Sequence, residues 1–177
     1  MLAAALAVPA GPTAALAQAG LQASEYQVKA AFLCKFAGYV EWPAAADRPD
    51  GPFVIGVLGD DEVVQEVVRA ASGLQVQGRP MTVRRLARND GPAGVHILFI
   101  ARSHAARQPE LLAGARGQPT LTVTETDNAA TVASIINFVL VDDKVRFDIA
   151  LPLADQGNLK ISARLLGVAR KVATRPS

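Results

Sequence analysis

Phe53-Val54-Ile55-Gly56-Val57-Leu58-Gly59 carries no charge and no polar alternation. A strand with one face in water reads apolar, polar, apolar. A run that is apolar at every step is covered on both faces, as in a parallel sheet between helices. Pro52 precedes the run and Gly59 follows it, which is strand punctuation. Asp60 and Asp61 then open Glu62–Ala71, where Val63, Val64, Val67 and Val68 recur at helical spacing. Asp60 stands where a helix N-cap is expected. Burying each Val, Ile or Leu of this strand–helix step contributes roughly 1.5–3 kcal/mol.

Downstream, Gly73 ends the helix, and Gly78-Arg79-Pro80 leads into a strand near Met81–Leu86. Asn89–Gly94 reads as a turn. His96–Ala101 is a third strand, again apolar on both faces. Ser103 is placed to cap a helix over 104–114, and Thr120–Thr124 is a short fourth strand. Strands alternating with helices favour a mostly parallel sheet with right-handed crossovers. The pattern then changes. Ile135–Val141 and Val145–Ala150 are joined by Asp142-Asp143-Lys144, too short a link for anything but an antiparallel hairpin. Val145, Phe147 and Ile149 alternate with Arg146 and Asp148, so one face is wet and the hairpin belongs at the sheet edge. Leu159–Val172 has helical spacing, with Leu165, Leu166, Ala169 and Val172 inward and Lys160, Arg164, Arg170 and Lys171 outward.

Upstream, Ser24 and Gln27 form a Ser-x-x-Gln capping box that opens a helix running to about Val40, with Pro43 as its stop. Val28, Phe32, Phe36 and Val40 make one stripe. Ala30, Leu33, Cys34, Ala37 and Tyr39 fill much of the rest. Such a helix needs cover on more than one side, from the domain or from a second subunit. The expected architecture is a single α/β domain over 24–173, a mostly parallel sheet with an antiparallel edge hairpin and helices on both faces. Residues 1–19 are uncharged, apolar over Met1–Val8, and carry small-x-small sites at Ala15-Leu16-Ala17 and Ala17-Gln18-Ala19. They read as a secretory leader whose basic start lies upstream.

The 177 residues suffice for one cored domain, and 50% apolar with 19% charged composition argues against disorder. A net charge of +2, without an aromatic-plus-basic stripe, argues against nucleic-acid binding. Cys34, the sole cysteine, allows no intramolecular disulfide and is expected to be buried. No later stretch reaches the ~20 apolar residues of a membrane span.

Candidate chemistry is sparse. Asp60-Asp61 resembles the acidic pair of receiver domains, but the third strand ends Ile100-Ala101-Arg102-Ser103, with no aspartate to accept a phosphoryl group. His96 and His104 have no His or Cys at ligand spacing, so no metal is expected. Ser103-His104 lacks a nucleophile elbow, and adjacent side chains are expected to diverge. Phosphate-binding glycine loops are absent from the sequence, and no cofactor is expected. Asn137, inside an apolar strand, is read as a satisfied polar anchor. Trp42, the sole tryptophan, is read as a core plug or a partner anchor.

Taken together, Glu25-Tyr26-Gln27-Val28-Lys29-Ala30-Ala31-Phe32-Leu33, Phe36-Ala37, Val40-Glu41-Trp42-Pro43, Phe53–Gly59, Gly78-Arg79-Pro80, His96–Ile100, Ile136-Asn137-Phe138, Val145-Arg146-Phe147, Leu159-Lys160-Ile161-Ser162 and Arg164-Leu165-Leu166 resemble the YfiR family of small periplasmic regulatory proteins. The likeness runs from residue 25 to about 170. It implies an exported, non-enzymatic α/β domain, often dimeric, that binds the periplasmic part of an inner-membrane diguanylate cyclase and holds it inactive. An outer-membrane lipoprotein can sequester such a repressor. Two departures stand out. Val95 replaces a cysteine that some relatives carry before the His-Ile-Leu-Phe-Ile strand, and Val132-Ala133-Ser134 stands where many carry Gly-Gly. With this resemblance in view, Phe36, Tyr39, Glu41 and Trp42 are the candidate partner contacts. The alternative is a periplasmic small-ligand binder, since open α/β sheets bind ligands beyond the carboxyl ends of their strands. Its site would comprise Asp60, Asp61, Ser103 and His104.

Overall fold

The computed structural model describes residues 12–44, 51–87, 89–126 and 133–175. Residues 1–11 of the expected leader, loop residues 45–50 and Val132 lie outside these.

The first helix, α1, spans Pro12–Phe36, and a turn leads to a two-residue strand, β1, Val40–Glu41. Then come β2 (Phe53–Leu58), α2 (Asp61–Ala71), β3 (Gln75–Val76), β4 (Arg79–Arg85) and β5 (Ile97–Ile100). A 3-10 segment, Arg102–Arg107, runs into α3 (Gln108–Ala115), followed by β6 (Leu121–Glu125) and the hairpin strands β7 (Ile136–Val141) and β8 (Lys144–Ala150). The chain closes with α4 (Leu151–Gln156), β9 (Lys160–Ile161), α5 (Ala163–Val168) and β10 (Lys171–Ala173).

An eight-stranded sheet runs β10-β8-β7-β6-β5-β2-β4-β3, and β1 pairs with β9 in a separate ribbon. Strands β4, β2, β5, β6 and β7 are mutually parallel. β7 and β8 form the antiparallel hairpin. The sheet continues one strand past it, because β10 pairs with β8 in parallel. The sheet is thus mostly parallel, as the uniformly apolar β2 predicts. Side chains alternate across it. Phe53, Ile55, Val57, Ile97, Phe99, Leu121, Val123, Ile136 and Phe138 share one core with α1 and α2. Leu58, Leu98 and Ile100 face the other way, against Leu111, Leu112 and Ala115 of α3. Phe36 anchors the larger core, with ring centroids 5.2 Å from Phe147 and 5.9 Å from Phe138.

Asn137 is the polar anchor its context predicts. Its Oδ1 accepts from Thr124 Oγ1 and Thr126 N, and its Nδ2 donates to Thr126 O, all at 3.0 Å. The hairpin turn is tighter than expected. Lys144 lies in β8, and only Asp142 and Asp143 turn the chain, at φ 49° and 56°. Two left-handed residues make a primed turn, whose twist matches the flanking strands.

Several expectations are corrected. Ser24 lies inside α1, so no capping box starts the helix there. The helix stops at Phe36, and its apolar stripe is not continuous, because Val28 is exposed. Ser103 falls within the 3-10 segment and does not cap α3, whose N-cap is Arg107. Leu159–Val172 is not one helix. Asn158 at φ 54° redirects the chain, Lys160–Ile161 pairs with β1, and only Ala163–Val168 is helical, capped by Ser162 Oγ accepting from Leu165 N at 3.3 Å. Arg170, expected as an outward helical cation, instead pins β10 to β8, its guanidinium gripping the Asp148 carboxylate in a two-point contact. Asp60 holds the N-cap position with extended backbone, but its carboxylate makes no capping bond.

Candidate functional site

Three regions carry the polar and exposed groups that a function would use. The first is the carboxyl edge of the parallel strands. The chain runs from β2 to β4 on one side and later to β5 on the other, so the loops after β2 and β5 diverge. That is where open α/β sheets hold ligands. Asp60, Asp61, Ser103 and His104 do gather at this edge, since β2 and β5 are neighbours with Leu58 opposite Ile100. The chain is closely packed where it leaves the two strands. Ala101 N donates to Leu58 O at 2.8 Å, and a Cβ on Gly59 would come within 3.1 Å of Ala101 Cβ and of Val63. Asp61 is exposed and pairs with Arg85. Ser103 Oγ and His104 Nδ1 do not diverge but stand 3.0 Å apart, in an exposed position.

The second region, which sequence reasoning missed, is a buried ionic cluster at the same edge. Lys29 is 1% exposed and contacts both Glu25 and Glu125. The Glu125 side chain is wholly enclosed. Its Oε1 accepts from Tyr26 OH at 3.1 Å and from Arg102 N at 2.7 Å, while Oε2 meets Lys29 Nζ. The ammonium also lies 5.0 Å from the Tyr26 ring centroid. Burial, then the Glu125 charge and hydrogen bond, push the Tyr26 phenol well above its ordinary range. The sequence held a signal: Glu25 and Lys29 are an i,i+4 pair, and Glu125 is the one charge closing the run Leu121–Glu125. The cluster fastens α1 to the ends of β5 and β6.

The third region is the end of α1 with the β1–β9 ribbon. Of the four candidate partner contacts, Phe36 is fully buried and has no surface to offer, which removes it from the set. Tyr39 is 37% exposed, Glu41 is exposed, and Trp42 is half-buried, edge-on to Phe53 at 5.1 Å. Tyr39 and Glu41 line a groove of about 640 Å³ with Lys35, Leu74, Val76 and Met81. Leu74 is 43% exposed. Cys34, on the groove floor, is a buried free thiol that burial pushes up to about 11.

Among the described residues, no group of three or more His, Cys, Asp or Glu side chains is placed to hold a metal. No described helix is long and apolar enough to cross a membrane. Among curated proteins the sequence has no match. A family model does match, over residues 26–170, from Tyr26 of the buried cluster to Arg170, just before β10. The chain belongs to the YfiR/HmsC-like family, DUF4154.

Proposed function

We propose that this protein is an exported regulatory binding protein that represses an inner-membrane diguanylate cyclase by binding its periplasmic domain, and so lowers cyclic-di-GMP. Membership of the YfiR/HmsC-like family across most of the chain supports the regulatory reading. The observation that carries the contact is the exposed apolar rim at the end of α1, where Tyr39 and Leu74 flank one groove. Monomers leave few large apolar side chains clustered in the open, and aromatic anchors concentrate binding energy. In this reading Tyr39, Glu41 and Trp42 meet the partner. The same rim serves a second copy in a homodimer, or an outer-membrane lipoprotein that withdraws the repressor.

Deleting the gene in its host is expected to raise cyclic-di-GMP. A copy carrying its leader should restore the lower level, and a copy confined to the cytoplasm should not. Unchanged cyclic-di-GMP in the deletion strain would refute the proposal.

A further inference from the structure

The groove beside Tyr39 is bordered by two strands that each keep a free edge. β3 is the last strand of the large sheet, and β1 pairs with β9 alone. Antiparallel strands bond through alternate residues, so the residues between them point N–H and C=O the other way. Across β3 and β4, Met81 N donates to Leu74 O at 2.9 Å, and Val76 lies opposite Arg79. Leu74 and Val76 therefore face β4, and the Gln75 backbone points outward. Across β1 and β9, Ser162 N donates to Tyr39 O at 2.9 Å, and Glu41 lies opposite Lys160. Tyr39 and Glu41 therefore face β9, and the Val40 backbone points away from it. Among the described residues, none pairs with the N–H or C=O of Gln75 or Val40. Both residues line the groove of about 640 Å³.

An unpaired backbone edge is a template for another strand, and the side chains around it select what that strand carries. Tyr39, Leu74 and Met81 offer apolar surface, while Lys35 and Glu41, the charged groups of the lining, cancel in net charge. That favours a neutral segment with apolar side chains over a charged one. A strand lying between two free edges needs both of its own edges free. In a second copy β1 and β3 each have one edge taken, so neither fits the slot.

We infer that the groove takes an extended, neutral segment of the cyclase's periplasmic domain, laid between β1 and β3 and bonded through its backbone to Val40 and Gln75, with alternate apolar side chains against Tyr39 and Leu74. The inference rests on the partner proposal and adds how the partner is held.

The probe is the purified periplasmic domain of the host's inner-membrane diguanylate cyclase. Gln75→Pro deletes an N–H that β4 does not use, and proline is tolerated on a strand edge whose N–H faces outward. Gln75→Ala trims the side chain and keeps the N–H. The proline variant should bind the cyclase domain at least about tenfold more weakly than the alanine variant. Melting shows whether the proline variant keeps its fold. Hydrogen exchange on the parent protein does not depend on that variant: the Gln75 amide, exposed in the free protein, should exchange at least about tenfold more slowly in the complex. The inference is overturned if the Gln75 amide exchanges alike in free and bound protein, or if a folded proline variant binds like the alanine variant. If Tyr39→Ala still weakens binding in either case, the rim remains the contact and only the strand is refuted. A parent protein that does not bind the cyclase domain refutes the partner proposal and this inference together.

Discussion

Replacing Lys29 by Met tests whether the buried cluster holds α1 in place. Methionine keeps the length and most of the volume of lysine and deletes the charge. The Lys29 and Glu125 side chains are 2% and 0% exposed, so water cannot substitute for the lost ammonium. Glu125 keeps its bonds from Tyr26 OH and Arg102 N but loses its contacting cation. Glu25, at 17% exposure, recovers water more readily, so most of the cost falls on Glu125. Stranding one member of a buried pair costs about 3–5 kcal/mol. With two donors still on Glu125, the lower end applies, about 3 kcal/mol, or about 6–12 °C in melting temperature for a domain of this size. Glu125→Gln should cost less, about 2 kcal/mol, because Lys29 retains Glu25. In the double variant neither buried charge is stranded, so the two costs should fall short of their sum by at least about 1 kcal/mol. Urea unfolding of the four proteins measures the cycle. A Lys29→Met variant within about 1 kcal/mol of the parent, or strict additivity, would show that the cluster is not the clasp described.

Tyr39→Ala should cost less than about 1 kcal/mol of stability, since the ring is exposed, yet weaken partner or self-association by about 1–2 kcal/mol; melting and sedimentation read the two separately, and a badly destabilised variant with intact association would place Tyr39 in the core. Cys34, raised to about 11 by burial, stays a thiol at neutral pH, so alkylation of the folded protein should be far slower than in denaturant, and melts with and without reductant should superimpose. Rapid native labelling would contradict its burial. Tyr26 should remain protonated in folded protein at about pH 11, where an ordinary phenol has ionised. Because its folded-state pKa is raised, the stability it confers is complete below the unfolded value of about 10 and declines as pH rises beyond it. Near-ultraviolet titration of a Tyr39→Phe variant isolates this phenol, and a phenolate signal well before alkaline unfolding would be the contrary result.

The parts of this protein legible in sequence are those whose cause is local. β2 announces itself because burial on both faces removes every polar residue from six consecutive positions, and α2 because one face of a helix repeats every three or four residues. The end of the chain defeats the same reasoning. Leu165, Leu166 and Ala169 have helical spacing, but Lys160–Ile161 is a strand because Val40–Glu41 lies beside it, a pairing across about two thirds of the chain that no local period encodes. β10 is likewise fixed by β8 and by Arg170 on Asp148. At the candidate sites, exposure decided what residue type could not. Phe36 and Tyr39 are both aromatic and three residues apart, yet one is sealed in the core and the other open. Lys29 and Glu125 read as solvated charges in isolation; only the meeting of α1 with the end of β6 makes them a pair.

That meeting also sets a schedule. Lys29 and Glu125 are 96 residues apart, so a newly made α1 offers its lysine only Glu25, on the same helix, as counter-charge. Until β6 arrives, docking α1 would desolvate an ammonium beside Glu25 alone. The helix is therefore expected to keep its apolar face open until residue 125 has been made. For that interval Leu33 and Phe36, sealed in the finished protein, would be open to other chains.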